Sequence, residues 1–158
     1  MIVIGVDPGL SGAVGVLKDG RYVSVADIPV MHKGYGTVKT EVDAAGLYRL
    51  IQSTVDSKEA CEIALERVSA MPGQGSSSIF SFGDTYGVCR AVAAVSGLPL
   101  KLVTPASWKK HFTLTSNKEE SRSKAIRLFP GAPLELRKHA DRAEALLIAR
   151  YVWETEYA

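Results

Sequence analysis

The chain has 158 residues, 46% of them hydrophobic and 23% charged, and a net charge of +2. That balance belongs to a globular chain of one domain's length and excludes a disordered tail, a collagen and a small disulfide scaffold. The longest apolar runs, such as residues 1–6 and 91–95, fall far short of the ~20 residues that span a bilayer.

The first residues carry no basic region and no cleavage site. The expectation is therefore a cytoplasmic protein whose two cysteines, Cys61 and Cys89, are reduced and buried. Residues 2–6 read as a buried strand and residues 13–17 as a second, entered through Asp7-Pro8-Gly9-Leu10-Ser11-Gly12. Lys18-Asp19-Gly20-Arg21 is a hairpin turn, because Asp-Gly supplies the positive φ angles such turns want. Residues 22–28 alternate and form a third strand, so the chain opens as an antiparallel meander. Residues 29–40 are polar and Gly-rich and read as a loop. Residues 42–55 carry apolar side chains at helical spacing. Residues 61–68 are an apolar strand run in which Glu66 ends the buried part, and residues 69–78 are a Gly-, Ser- and Pro-rich surface loop.

Residues 80–96 read as a helix. Gly83, Gly87 and Ala91 fall four apart on it, a bare face that suits close packing in the core or at a dimer interface; the core is the favoured expectation. Residues 98–104 are a strand stopped by Pro105. Residues 118–129 form a charged amphipathic helix, and residues 141–153 a strong final helix. Strands interleaved with helices predict an α/β sheet covered on both faces.

Charge is uneven along this order. Residues 101–142 hold 10 Lys and Arg against 4 Asp and Glu, a balance that a polyanion-binding face needs and that plain solvated surfaces also show. Four acids stand in or beside apolar segments: Asp7 and Glu66 at strand ends, and Asp141 and Glu144 three apart on one face of the last helix. Each has an ordinary explanation singly, as a turn residue, a strand-end ion pair or a first-turn helix acid. Two strand ends and one helix turn can also converge on a point. Clustered carboxylates repel unless a cation joins them. Mg²⁺ takes such oxygen ligands, and a pair of these ions is a standard device for cutting a phosphodiester.

At these residues the chain resembles the RuvC family of Holliday-junction resolvases, in the ribonuclease H-like superfamily. The matching pieces are Ile4-Gly5-Val6-Asp7-Pro8-Gly9, Ala64-Leu65-Glu66, the helix from Gly83 to Ala94, Leu98-Pro99, Val103-Thr104-Pro105, Trp108-Lys109-Lys110, and His139-Ala140-Asp141-Arg142-Ala143-Glu144-Ala145-Leu146-Leu147-Ile148-Ala149. They cover nearly the whole chain in order. The shorter turn after Asp7, and Glu at 144 where the bacterial family usually has Asp, are more like the compact bacteriophage and plastid branch.

The resemblance implies one nuclease domain over residues 1–158. Its fold would be α/β, a ribonuclease H-like five-stranded mixed sheet flanked by helices on both faces. It implies a homodimer that holds four-way branched DNA and nicks two strands symmetrically, leaving 5′-phosphate and 3′-hydroxyl ends. Asp7, Glu66, Asp141 and Glu144 would ligate two Mg²⁺, with Mn²⁺ able to substitute. Lys109 and Lys118 match lysines with functional roles in the family. Gln74, Ser76, Ser77, Lys109, Lys110, Lys118, Arg122 and Lys124 would face DNA, with Arg127 a further backbone clamp. His139 is expected to cap the last helix. Ser69 stands where the bacterial family carries an aromatic wedge, and Met71, Phe80 or Phe82 could take over. No membrane and no nucleotide cofactor is expected: an actin-like kinase opens with a similar turn but needs two domains. A broader branched-DNA or flap nuclease and a non-catalytic junction binder are the rival readings.

Overall fold

The computed structural model describes residues 1–34, 40–55 and 58–158. Its strands and helices in chain order are β1 (Ile2–Asp7), β2 (Ala13–Lys18), β3 (Arg21–Asp27), β4 (Val30–His32), β5 (Thr40–Val42), α1 (Ala44–Ser53), β6 (Cys61–Glu66), α2 (Ser76–Val95), β7 (Leu100–Val103), α3 (Pro105–His111), α4 (Lys118–Leu128) and α5 (Ala140–Glu156). One five-stranded sheet runs β3-β2-β1-β6-β7. β1 pairs antiparallel with β2 and parallel with β6, and β7 adds a parallel edge. This is the mixed, helix-covered sheet that the sequence predicts.

The period-two alternation of a strand sorts β1 and β6 into two faces. Ile2, Ile4, Val6, Cys61, Ile63 and Leu65 turn toward α1 and α2, while Val3 and Ala64 turn toward α3, α4 and α5. Both faces are covered, so β1 and β6 are buried along their whole length. Leu146, Leu147, Ile148 and Val152 of α5 are fully buried, each stabilising the fold by about 1.5–3 kcal/mol relative to exposure.

The hairpin joining β2 to β3 turns at Asp19 (φ 48°) and Gly20 (φ 73°), as the Asp-Gly pair predicts. Cys61 and Cys89 are both free and buried. Among the described residues no helix is long and apolar enough to cross a membrane.

Four expectations need correction. Residues 29–40 are not all loop: β4 and β5 pair antiparallel, with residues 35–39 between them outside the described part. Val42 therefore belongs to a strand, and α1 starts after its N-cap Asp43, whose carboxylate accepts the Gly46 N–H at 2.9 Å. Pro105 does more than stop a strand. It opens α3 behind the N-cap Thr104, a position where its missing N–H costs nothing. The bare face of α2 lies outside the core: Gly83 and Ala91 are exposed, and a Cβ on Gly83 or Gly87 would meet, among the described residues, no atom within 4 Å beyond its own stretch of helix. The buried residues of α2 are Thr85, Cys89, Val92 and Ala93 instead.

Candidate active site

The site stands at the carboxyl ends of β1 and β6, where open α/β sheets bind ligands. Val6 pairs with Leu65, so continuing that register by one residue sets Asp7 beside Glu66. Both belong to the face covered by α5. That helix approaches the sheet over two glycines, because a Cβ on Gly5 would lie 2.0 Å from the Ala145 carbonyl oxygen and one on Gly15 would lie 2.9 Å from Leu146 N. Glu144, next to Ala145, and Asp141, one turn earlier, are thereby carried to Asp7. Arg142 anchors the start of α5: its guanidinium donates to both carboxylate oxygens of Asp27, at 2.6 and 2.9 Å.

Asp7, Asp141 and Glu144 each present a carboxylate oxygen within 4.8 Å of the others. Glu66 stands beside this group, close enough for its charge to act on Asp7. Burial, and then the negative charges of Glu66, Glu144 and Asp141, hold the Asp7 carboxyl well above its ordinary value, with Lys118 opposing. Burial likewise raises Glu66, against the hydrogen bond it accepts from Trp108. Burial alone would lower Lys118. Its hydrogen bond to Asp141 and the charges of Glu144, Asp141 and Asp7 outweigh that and raise it.

Lys118 Nζ bonds Asp141 and lies 3.6 Å from Glu144 Oε2, while Lys109 Nζ lies 3.6 Å from Glu144 Oε1. Two lysines therefore face four carboxylates, an imbalance that a small divalent cation corrects. The donors are all hard oxygens, the set that suits Mg²⁺, Mn²⁺ or Ca²⁺ rather than a thiolate-seeking metal. The residues present fit such an ion.

Two participants escape sequence reasoning. Trp108, fully buried on α3, donates its indole N–H to Glu66 Oε1 at 2.8 Å. Ser121, fully buried on α4, donates its hydroxyl to Glu144 Oε1 at 3.1 Å. Ser121 had one available signal, its position three residues after Lys118, which puts both on one helix face.

The remaining expected residues fall around this centre or away from it. Residues 69–80 are exposed throughout. Gln74 closes a turn there by accepting the Met71 N–H at 3.0 Å, and Ser76 and Ser77 lie in the first turn of α2 rather than in a loop. Lys110 is exposed at the end of α3, in an open groove shared with Lys109, Thr113, Thr115 and Ser116. Lys124 lies over the Phe112 ring, 5.9 Å from its centroid. Arg127 is exposed. Arg122 is spent inside the protein: Nε and Nη2 bond Glu119, and Nη1 donates to the Leu134 and Glu135 carbonyls at 2.6 and 3.1 Å. His139 is buried, and its Nδ1 accepts the Leu136 N–H at 3.2 Å, closing the turn before α5. His111, without an evident partner in the sequence, meets Glu154 at 2.7 Å.

No family model matches the chain. A curated relative from Leifsonia xyli subsp. xyli, named crossover junction endodeoxyribonuclease RuvC, is 30% identical over an alignment of 153 positions that covers 93% of this chain and 71% of the relative. The chain belongs to the RuvC family. A RuvC of the same name from Bifidobacterium adolescentis is 27% identical over 94% of this chain and 77% of its own. The structure of T. thermophilus RuvC in complex with Holliday junction substrate matches with a TM-score of 0.63 over 99% of this chain and 96% of that one. At 17% identity that likeness speaks for the RuvC fold, and it extends over the sheet and the helices that carry the acidic site.

Proposed function

We propose that this chain is a Holliday-junction resolvase, a metal-dependent endonuclease that nicks two strands of a four-way DNA junction symmetrically. The observation that carries the reading is the convergence of Asp7, Asp141 and Glu144 within 4.8 Å, with Glu66, Lys109 and Lys118 around them, in a chain of the RuvC family. Asp7, Asp141 and Glu144 would hold one Mg²⁺, and Asp7 with Glu66 a second. Mn²⁺, with the same oxygen preference, would substitute. When bound, such ions supply Lewis-acid polarisation of the scissile phosphate and a water acidic enough to attack it. The ends expected are 5′-phosphate and 3′-hydroxyl.

Lys118 and Lys109 have the charge and position to neutralise the phosphate that reaches the carboxylates. Lys110 and Arg127 would hold the backbone on either side, contacts that give affinity and orientation but little sequence choice. Lys124, half-buried over the Phe112 ring, would add a further backbone contact, whereas Arg122 braces α4 against residues 134–135. The exposed stretch 69–80, with Gln74, Ser76 and Ser77, lies directly after Glu66 and would meet the junction centre. Phe80 (78% exposed) and Met71 (67%) present the apolar surface there for unstacking bases, while Phe82 is half-buried.

A four-way junction has near two-fold symmetry, which a two-fold dimer matches with two equivalent sites. The outward face of α2, with Gly83, Gly87 and Ala91, is the surface proposed to meet a second copy.

The deciding experiment is a nicking assay on a labelled synthetic four-way junction, with Mg²⁺ or EDTA, beside duplex, three-way and flap DNA. Paired, ligatable nicks confined to the four-way junction are expected. Equal cutting of every branched substrate would replace the proposal with a general structure-selective nuclease. Tight junction binding without cutting would leave a junction-binding scaffold.

A further inference from the structure

The carboxylates of the site are held from behind by groups that cannot themselves reach substrate. Trp108 and Ser121 are both 0% exposed. Trp108 lies in the apolar cluster with Phe112, Ala125, Phe129 and Leu147, where its ring alone would satisfy packing. An indole N–H in such surroundings must find an acceptor, and the one it has is Glu66 Oε1 at 2.8 Å. Local structure delivers it there. Glu66 pairs with Val103 at the end of β7, and the Arg67 N–H bonds the Val103 carbonyl at 2.7 Å. Thr104 and Pro105 then start α3 at once, so the first turn of α3 places Trp108 back against Glu66.

Ser121 does the same for Glu144 from α4. Lys118 and Ser121 share one face of that helix, the lysine reaching Asp141 and the hydroxyl reaching Glu144 Oε1 at 3.1 Å. A carboxylate on a freely turning side chain loses rotamer entropy when it takes up an ion, and one already fixed by a donor has lost it in folding. Donors to ligating groups therefore set affinity, and removing one commonly costs 10–100-fold in metal binding.

We propose that Trp108 and Ser121 are positioning residues, each fixing one oxygen of a metal-binding glutamate so that Glu66 and Glu144 are oriented for the divalent cation before it arrives. The proposal rests on the reading of Asp7, Glu66, Asp141 and Glu144 as metal ligands, and its test separates the two.

The full-length chain, free of DNA, is titrated with Mn²⁺ by calorimetry and by electron paramagnetic resonance of the free ion. The variants are Trp108→Phe, which keeps an aromatic ring and removes the N–H, Ser121→Ala, Ser121→Thr, which restores a hydroxyl, and Asp7→Asn. Thermal melting in EDTA checks the fold of each. The expected result is Mn²⁺ affinity at least ~10-fold weaker in Trp108→Phe and Ser121→Ala, with Ser121→Thr closer to the parent. A residue that serves only the core would change melting without this loss and without rescue by threonine. Parent-like Mn²⁺ affinity in both Ser121→Ala and Trp108→Phe overturns the proposal while leaving the metal site standing. Should Trp108→Phe not fold, Ser121→Ala and Ser121→Thr decide it. A parent chain that takes up no Mn²⁺, or takes it up unchanged after Asp7→Asn, overturns the ligand reading and this proposal with it.

Discussion

Gly5 and Ala145 touch backbone to backbone: a Cβ on Gly5 would stand 2.0 Å from the Ala145 carbonyl oxygen and 2.8 Å from Ala149 N. This contact sets the distance from α5 to the sheet. Two residues along β1 from Gly5, on the same face, is Asp7; one residue back along α5 from Ala145 is Glu144. The packing of a bare strand position against a helix backbone is therefore what brings two carboxylates from opposite ends of the chain into one site.

Gly5→Ala is expected to force α5 outward, because both close atoms belong to backbone. Overpacking of this kind costs ~1–3 kcal/mol or more, and the displaced Asp141 and Glu144 should lose nicking activity even in protein that still folds. Chemical denaturation and the junction assay measure the two effects. Parent-like activity in a folded Gly5→Ala protein would show that the site does not depend on this approach.

Asp7→Asn should abolish nicking and yet stabilise the metal-free protein. Burial and three neighbouring carboxylates raise Asp7 above its ordinary value of 3.8 in the folded state. The folded chain then binds this proton more tightly than the unfolded chain does. Stability falls as pH rises from 3.8 through the raised folded value, and the loss is complete above it. In EDTA at pH 8 the asparagine variant should melt ~2–4 °C higher, a gain of about 1 kcal/mol for a chain of this size. The difference should fade as the pH approaches 3.8 and reverse at pH 8 when Mg²⁺ is added, since on the proposed reading only the parent would have the full ligand set. A lower melting temperature in EDTA at pH 8 would mark Asp7 as a structural turn residue.

What the sequence reveals depends on how local each signal is. Asp7 and Glu66 are legible because a charged residue ending an apolar strand contrasts with its immediate neighbours. Asp141 and Glu144 are legible because three-residue spacing puts them on one helix face. Trp108 is hidden because its partner lies 42 residues away, and because Pro105 reads equally as the end of a strand or the start of a helix. β4 and β5, of three residues each, are too short to show alternation. The four-residue spacing of Gly83, Gly87 and Ala91 puts them on one face of a helix. Periodicity tells which residues share a face and not which face the rest of the chain covers, so only the fold shows that this one points outward.

Lys110 and Lys118 are expected to separate affinity from chemistry. Lys110 is exposed on α3, whereas Lys118 bonds Asp141 inside the site. Lys110→Ala should weaken junction binding and flatten the slope of log K against log salt by ~0.9, the signature of one lost phosphate contact. The rate on saturating enzyme should stay near the parent's. Lys118→Ala should slow cleavage of bound junction by ~10²-fold, the scale of one lost electrostatic donor to a developing charge, with a smaller change in affinity. Filter binding across a salt series and single-turnover cleavage measure both. Equal effects of the two substitutions on rate would return Lys118 to the role of a surface clamp.

Gly87 supplies the test of assembly. Glycine inside a helix is less stable than alanine by ~1 kcal/mol, and among the described residues no atom beyond the local helix lies within 4 Å of a would-be Cβ on Gly87 to require it. Nothing among the described residues accounts for a bare position there. A second copy of α2 packed backbone to backbone would, and Gly83 and Ala91 extend the same stripe by one turn each way. Gly87→Arg should therefore leave the monomer folded, with an unchanged or higher melting temperature, while sedimentation shifts from dimer to monomer. Junction cleavage should lose its pairing, so that single nicks appear without the coordinated second one. A Gly87→Arg protein that still sediments as a dimer and still cuts both strands together would move the interface to another surface of the molecule.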